Sequence, residues 1–338
     1  MKIVRYTFML FMGLFLTTAC SSEDERADVH RMPIHISIPA DDMGGITRAP
    51  GDPGNYEHFA LPKYLRLYLV EDNGTSQKVV TILTEELDDG WVKEKQGTDS
   101  IYTYGGGLTM QLDPLRSGTA RIYALLSSVE LEINTAITEN SSTEENVMDM
   151  TFDLPSSLPS GYSNYGEVVR NIYSSPYNLK RTNGDYYGTV QDYENDMPYV
   201  NIVLYHIASK LDVIWNVAED KQSSVRLNQL DVTGLKKTGC LAFMPMENNT
   251  VPTSGTYDES INIDVGAQWY GRHSFYVIPY NDNNNNYPVN LSLYKNGNTL
   301  TADKTVTIQA EYKSGTPAND IFTPWIVAPL QITTDLTQ

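Results

Sequence analysis

The sequence predicts an all-β protein with two sandwich domains. Apolar residues alternate with polar ones or form short runs, turn residues separate these runs, and no long amphipathic helix pattern occurs. Strands at this spacing, without helices between them, are typical of β-sandwiches. With 338 residues, the chain is long enough to hold two such domains.

The N-terminus has the parts of a bacterial export signal. A positive start containing Lys2 and Arg5 precedes an apolar stretch, Phe8–Leu16, which is too short for a permanent membrane span. Small residues then precede Cys20, and this ending resembles a lipobox, in which the cysteine is acylated and begins the mature chain. We therefore expect residues 1–19 to be removed. A plain signal peptide with an incidental cysteine is the alternative.

An acidic segment, SSEDERAD, follows Cys20. It is a solvated tether, and it also resembles the signal that directs lipoproteins of the Bacteroidota to the cell surface. We assign residues 20–48 to a lipidated tether that ends in a removable first strand.

Strand patterns follow in the next part of the chain. They are LPKYLRLYLV (Leu61–Val70) ending at the turn EDNG, KVVTIL (Lys78–Leu83) as the returning hairpin arm, two strands joined by a tight turn at Gly105–Gly107, and the apolar run TARIYALLSS (Thr119–Ser128). The last run is typical of a central buried strand. Residues 130–196 are polar and irregular, with some order expected near Glu144–Phe152.

A second group of strand patterns begins at residue 200. VNIVLYHIASKLDVIWNV (Val200–Val217) restarts the alternation, and short segments separated by Gly, Pro or Asn continue it toward the C-terminus. We therefore predict a first sandwich domain at residues 49–198 and a second at residues 199–338.

Charge and motifs exclude several classes of function. The formal net charge of −18 argues against binding to nucleic acid or to anionic membrane surfaces. The sequence contains no GxSxG, HExxH, GxxxxGK[ST] or CxxC motif, and the five histidines are scattered. We expect no enzymatic activity, no cofactor and no metal. Cys240 lies in the apolar run GCLAFMP, where a buried structural thiol is favoured over a nucleophile.

The segment PIHISIP (Pro33–Pro39) is an isolated strand pattern. Ile34, Ile36 and Ile38 share one face, and His35 and Ser37 share the other. Such a strand is half-buried, so its hydrogen-bonding partners must come from distant parts of the chain.

A segment rich in Gly and Pro, DDMGGITRAPGDPGN, follows this strand and surrounds Arg48. Exposed segments of this composition are readily cut by proteases. Cleavage between Arg48 and Ala49 would separate the lipid and the strand from the body, although Arg26 and Arg31 in the tether are further cleavable positions. Loss of the strand would leave an unpaired sheet edge and an apolar groove, which invite a strand from another chain.

The C-terminal segment APLQITTDLTQ has the same alternation. Leu330, Ile332, Thr334 and Leu336 share one face. The tail of one subunit could therefore replace the lost strand of the next, and such a head-to-tail contact builds a filament.

Four stretches in this order resemble the fimbrillin superfamily, the lipoprotein precursors of type V pili in Bacteroidota. They are the lipobox region, TRAPGDPGNY with YLRLYLVEDNG, RSGTARIYALLSS, and VLYHIASKLDVIWNV. The resemblance implies two tandem transthyretin-like β-sandwich domains, cleavage at Arg48–Ala49 by an arginine-specific protease, and polymerisation by strand exchange. In this chain the removed strand is about Pro33–Pro39 and the donor tail about Ile326–Gln338.

The expected partners follow from this resemblance. They are other pilus subunits, the outer membrane through the lipid on Cys20 before cleavage, and a host protein or glycan, with no nucleic acid. The superfamily also contains anchor subunits that keep their lipid and tip subunits, so these roles stay open. A second class is a surface lipoprotein that binds glycan or host protein through exposed aromatic residues such as Trp91 or Trp269.

Overall fold

The structure, a computed structural model, describes residues 30–40, 60–72, 76–96, 99–112, 119–182, 185–187, 199–216, 219, 229–240, 255–262, 270–278, 287–295 and 298–308. Within these residues the chain forms twenty strands and two short helices. The strands form several sheets in which antiparallel pairing predominates, which confirms the predicted β class.

The first half of the chain holds ten strands and both helices. These are β1 (His30–Ala40), β2 (Tyr64–Asp72), β3 (Gln77–Glu86), β4 (Trp91–Gln96), β5 (Asp99–Tyr104), β6 (Thr109–Leu112), β7 (Thr119–Ser127), β8 (Glu132–Ile133), α1 (Glu144–Met148), β9 (Thr151–Asp153), α2 (Tyr165–Arg170) and β10 (Ile172–Thr182).

The remaining strands are β11 (Asp185–Tyr187), β12 (Val200–Val203), β13 (Tyr205–His206), β14 (Ser209–Asn216), β15 (Gln229–Lys236), β16 (Thr238–Cys240), β17 (Thr256–Asn262), β18 (Tyr270–Val277), β19 (Tyr287–Lys295) and β20 (Asn298–Ile308).

Two sheets pack on each other to form the first core. One has the order β12-β1-β5-β4, with β6 also paired to β1, and the other has the order β11-β10-β7-β2-β3, with β13 paired to β10. Their facing side chains include the three isoleucines of β1, the leucines Leu65 and Leu67 of β2, and Ile122 of β7. β7 lies in the middle of its sheet, as its apolar run predicts.

The second of these sheets is buried on both faces. Leu65, Leu67 and Leu69 point into the first core, whereas Tyr68 and Val70 point into a second core on the opposite face. The second core also contains apolar residues of both helices and of β15 and β18. A strand buried on both faces reads as a nearly continuous apolar run, which explains the composition of β2 and β7.

Three further sheets complete the described structure. β14 pairs with β18, the order β17-β15-β19-β20 forms a four-stranded sheet, and β16, β9 and β8 form a three-stranded sheet. β16 lies in the second half of the chain and β9 in the first, and their pairing joins Gly239 to Phe152. The two halves therefore share a sheet as well as a core.

The two strands predicted on either side of Gly105–Gly107 are present as β5 and β6, but they are not the arms of a hairpin. β5 and β6 do not pair with each other; both run antiparallel to β1 along the same side of it. The glycines form an irregular link that keeps the chain moving in one direction. Gly107 has a φ of +79°, a conformation that side chains with a Cβ rarely adopt.

Two other segments differ from the sequence expectation. Residues 172–182 were expected to be irregular but form β10, a long strand beside β7. Residues 200–206 were expected to open a second domain, and they form β12 and β13, which pair with β1 and β10 of the first half. The division into two sandwich domains stays a prediction.

Candidate functional site

The strand of the three isoleucines lies inside a sheet rather than at its edge. β1 pairs antiparallel with β5 and β6 on one side and parallel with β12 on the other. Ile36 is aligned with Tyr104 of β5 and with Ile202 of β12. β1 thus finds partners in distant segments of the chain, as predicted.

The apolar face of β1 is completely enclosed. Ile34, Ile36 and Ile38 each have 0% exposure, and Met32 near the start of the strand has 4%. Burial of the three isoleucines contributes roughly 5 to 9 kcal/mol. This strand therefore supplies a large part of the first core although it lies near the chain's N-terminus.

The opposite face of β1 carries a short polar ladder. The Ser37 hydroxyl donates to Asn201 Oδ1 at 2.8 Å and lies 3.2 Å from Thr103 Oγ1. Because the single proton of Ser37 is committed to Asn201, the Thr103 hydroxyl is the donor in the second bond. The backbone N–H of Leu204 also donates to the carbonyl of Ser37, at 2.8 Å. Ser37 is fully buried, so these bonds replace its contact with water.

His35 is the second residue of this face. Its ring stacks on that of Tyr199, with centroids 3.6 Å apart and planes 14° from parallel. A Cβ on Gly105 would lie 2.9 Å from His35 Nε2, so the ring occupies space that only glycine leaves open. Burial lowers the pKa of His35, and the negative charge of Glu94 partly offsets that effect. The imidazole is therefore neutral at pH 7, which suits a stacked ring.

Removal of β1 would create an apolar groove between two strands, β5 and β12. β5 and β12 would each lose a strand partner, and the first core would lose its isoleucines. A replacement that reproduces the pairs of β1 runs parallel to β12 and antiparallel to β5. It must also present apolar residues at alternate positions.

A scan against protein-family models and a search of the curated proteins found no match. Solved structures with a related arrangement were found. A fimbrial assembly protein from Parabacteroides distasonis matches with a TM-score of 0.43 and 12% identity, over 92% of this chain and 93% of that one. The tip fimbrial protein Mfa3 from Porphyromonas gingivalis, with a C-terminal truncation, matches with a TM-score of 0.39 and 15% identity, over 85% and 83%.

The fimbrial anchor protein Mfa2 from Porphyromonas gingivalis matches with a TM-score of 0.37 and 11% identity, over 79% of each chain. The chain is similar in structure to fimbrial proteins. These solved structures are fimbrial proteins, the class of protein that the sequence motifs resemble.

Several predicted site residues lie outside the described residues. These are the lipidation residue Cys20, the cleavage pair Arg48 and Ala49, and the donor-tail residues Leu330, Ile332, Thr334 and Leu336. Their roles stay predictions. Of the predicted site residues, Ile34, Ile36 and Ile38 are described and lie on β1, and removal of this strand stays a prediction.

The aromatic residues considered for ligand binding give no open platform among the described positions. Trp91 is half-buried beside the first core and donates its indole N–H to the carbonyl of Pro62 at 3.1 Å. Its ring packs against that of Tyr104, with the ring centroids 5.4 Å apart. It therefore packs as part of the sandwich. Trp269 lies outside the described residues.

Cys240 and His206, which could in principle take part in chemistry, both lie on strands. Cys240 is half-buried at the end of β16, where burial raises its pKa to about 11 and the charge of Asp149 adds to the effect. Its thiol is protonated at neutral pH and is a poor nucleophile. His206 lies on β13, as expected of a strand residue, with Nδ1 2.6 Å from the carbonyl oxygen of Arg170.

No group of His, Cys, Asp or Glu in the described part of the chain could hold a metal ion, and none of the helices there is long and apolar enough to cross a membrane.

Sequence reasoning missed the partners of Ser37. The alternation of PIHISIP placed Ser37 opposite the isoleucines, but it gave no sign that the hydroxyl is buried. Asn201 is separated from Ser37 by 164 residues and Thr103 by 66, so no local pattern connects them.

Proposed function

We propose that this protein is a structural subunit of a pilus. It is exported as a lipoprotein acylated on Cys20, is displayed on the outer membrane, and is cleaved between Arg48 and Ala49. Its body then consists of two tandem transthyretin-like sandwich domains that polymerise by strand exchange. The resulting fimbrium supports adhesion to a host protein or glycan.

The position of β1 is the observation that carries this proposal. The strand fills the interior of a sheet, yet its covalent link to the following strand, β2, runs through residues 41–63, which include Arg48. After a cut at Arg48 the strand would be held by hydrogen bonds and apolar contacts alone. A central strand that one cut makes replaceable is unnecessary in a protein that works as a monomer.

Cleavage alone should not empty the groove. β1 pairs with strands on both sides and buries three isoleucines, so its spontaneous loss would expose a large apolar surface to water. An incoming strand that forms the same hydrogen bonds and fills the same positions compensates for that loss. Exchange with the tail of another subunit is the step that this geometry favours.

The donor tail has the required alternation. Leu330, Ile332, Thr334 and Leu336 stand at alternate positions, as the isoleucines of β1 do. The tail is near the C-terminus, so it can leave its own subunit without opening a domain. Donor and acceptor surfaces differ, so the contact is heterologous and continues as a filament.

A tail deletion tests the proposal. We expect a chain lacking residues 330–338, but with the Arg48–Ala49 bond intact for processing, to yield folded monomers that form no fibres by electron microscopy. A matched chain lacking only Thr337 and Gln338 should still form fibres. Fibres from the longer deletion would show that this tail is not the donor, and a folding failure would be detected by thermal denaturation of the same sample.

Retention of the lipid would change the assigned role. A pilus anchor keeps its lipid and the strand next to it, and a tip subunit occupies the other end of the fibre. Molecules that are never cut at Arg48 would therefore be assigned as anchor or tip subunits, or as surface lipoproteins that bind a glycan or host protein.

A further inference from the structure

The polar ladder of β1 restricts what a replacement strand can place there. Ser37 is fully buried, donates to Asn201 Oδ1 and accepts from Thr103. In this arrangement the side chain at position 37 both donates and accepts a hydrogen bond, as a hydroxyl can. An ionised carboxylate can only accept, and its burial opposite the Asn201 carbonyl oxygen would be costly.

We propose that the donor tail of a second copy of this chain enters the groove in a single register, with Thr333 at the position of Ser37. In this register Pro329 takes the position of Pro33. Leu330, Ile332 and Thr334 take the positions of the three isoleucines. This inference rests on the proposed strand exchange and specifies the alignment by which two copies meet.

The two segments correspond along their length. The first is PIHISIP (Pro33–Pro39) and the second is PLQITTD (Pro329–Asp335). They share proline at the first position and isoleucine at the fourth, and each has a small hydroxyl residue at the fifth. Both segments are read in the same chain direction, so that the tail runs parallel to β12, as β1 does.

Shifting the tail by two residues so that Asp335 replaces Thr333 is less favourable. Asp335 would then bring a carboxylate to the buried position of Ser37, where its removal from water is costly. Thr334 would take the position of Ile36, in the middle of the apolar face, rather than that of Ile38 near the end of the strand.

The opposite shift of two residues is also unfavourable. Pro329 would take the position of His35, inside a strand with neighbours on both sides, where proline removes a ladder hydrogen bond. Ala328 would take the position of Ile34 and leave part of the core unfilled. A shift by one residue would turn the apolar face away from the core.

Disulfide trapping in fibres tests the register. Thr103 is aligned with Ser37 across the antiparallel pair, so Thr103→Cys should bond to Thr333→Cys of the neighbouring subunit. Directly opposite residues have Cβ atoms about 4.5–5.5 Å apart, whereas diagonal neighbours are about 7–8 Å apart and beyond disulfide reach. The matched controls are Gln331→Cys and Asp335→Cys, each combined with Thr103→Cys.

Fibres sheared from the native host would be oxidised mildly and separated on denaturing gels. We expect the pair at 103 and 333 to give covalent oligomers at least about tenfold more abundant than either control pair, given the distances above. The chain with Cys240 as its one mature cysteine measures the background. In an uncleaved precursor, Ser37→Cys with Thr103→Cys should form an intramolecular disulfide.

A second groove position keeps the test valid where Thr103→Cys impairs folding. Asn201 is aligned with His35, so Asn201→Cys should trap Gln331→Cys in preference to Thr333→Cys. Fibres in which position 331 or 335 bonds to position 103 as well as 333 does, or in which none does, would overturn the register. Absence of fibres from the chain without added cysteines would contradict the proposed function itself, so the two failures are distinguishable.

Discussion

The hydroxyl of Ser37 donates to the side-chain carbonyl of Asn201 at 2.8 Å, across 164 residues of sequence. The bond joins the first described strand to β12, which begins the second half of the chain. It accompanies a parallel ladder in which His35 is aligned with Asn201. The N-terminal strand is therefore integrated into the sheet by side-chain as well as main-chain bonds, although the proposed function requires that it leave.

Substitution of Ser37 should lower the stability of the uncleaved precursor and leave the stability of the fibre unchanged. We expect Ser37→Ala to lower the free energy of unfolding of the uncleaved chain by about 1–2 kcal/mol, because Asn201 and Thr103 lose a buried partner. Urea denaturation measures this, with the exposed Ser157→Ala as the matched control. Fibres should be as stable as the unsubstituted ones, since residue 37 is absent from them. An equal loss in fibres would show that β1 stays in place.

Truncation of Ile36 tests the apolar side of the same strand. Ile36→Ala removes a side chain with 0% exposure and should cost the precursor about 2–5 kcal/mol. Val92→Ala, at a position with 57% exposure, should change the free energy of unfolding by less than about 0.5 kcal/mol. Thermal or urea denaturation of both precursors gives the comparison. A small effect at Ile36 would mean that the groove readily closes around the space left by the missing side chain.

Substitution of Arg48 should stop processing. We expect Arg48→Ala to leave every molecule with its acylated N-terminus and without fibres, because the proposed bond is no longer a substrate for an arginine-specific protease. Mass spectrometry of the surface protein and electron microscopy supply the two readouts. Arg26→Ala and Arg31→Ala are the controls and should be processed normally. Normal fibres from the Arg48 variant would place the cut elsewhere.

A buried carboxyl predicts a pH dependence of stability. Glu259 of β17 has 6% exposure and accepts a hydrogen bond from the backbone N–H of Gly166 at the start of α2. Burial raises the pKa of Glu259 to about 7, the bond from Gly166 opposes this shift, and the charge of Glu167 adds to it. The ordinary pKa is about 4.5, so the folded state holds this proton more tightly than the unfolded state.

Stability from this group is therefore present below pH 4.5 and is lost as the pH rises to about 7. We expect Glu259→Gln to stabilise the protein relative to the unsubstituted chain above pH 7, by at most about 3 kcal/mol. The difference should vanish near pH 4. The exposed Glu130→Gln is the control and should show a much smaller pH-dependent difference. A difference that does not change with pH would show that Glu259 titrates normally.

Local patterns predicted the strands whose apolar residues mark their environment. β2 and β3 follow from alternation around the turn EDNG, and β7 follows from its apolar run. β10 was missed because Ser174 and Ser175 are buried in it and Pro176 interrupts it. The proline is tolerated because, among the described strands, β11 and β13 pair with the two ends of β10 and none pairs with the same side at its middle.

Long-range pairing was beyond the reach of local patterns. PIHISIP shows a half-buried strand, yet it does not show that β12 lies beside it, because a parallel pair can join segments at any separation along the chain. The glycines at 105–107 suggested a reversal of direction. In the structure they let β5 continue into β6 along β1, and Gly105 leaves room for the ring of His35.

The N-terminus of the protein taken from its native cell surface tests the central claim most directly. Intact mass and terminal peptide mapping identify the first residue and any lipid. Our account predicts molecules that begin at Ala49, carry no lipid and retain no fragment containing β1, so that the groove is available to another subunit. An acylated Cys20 on every molecule would contradict it, because β1 would then be a permanent strand of the sandwich.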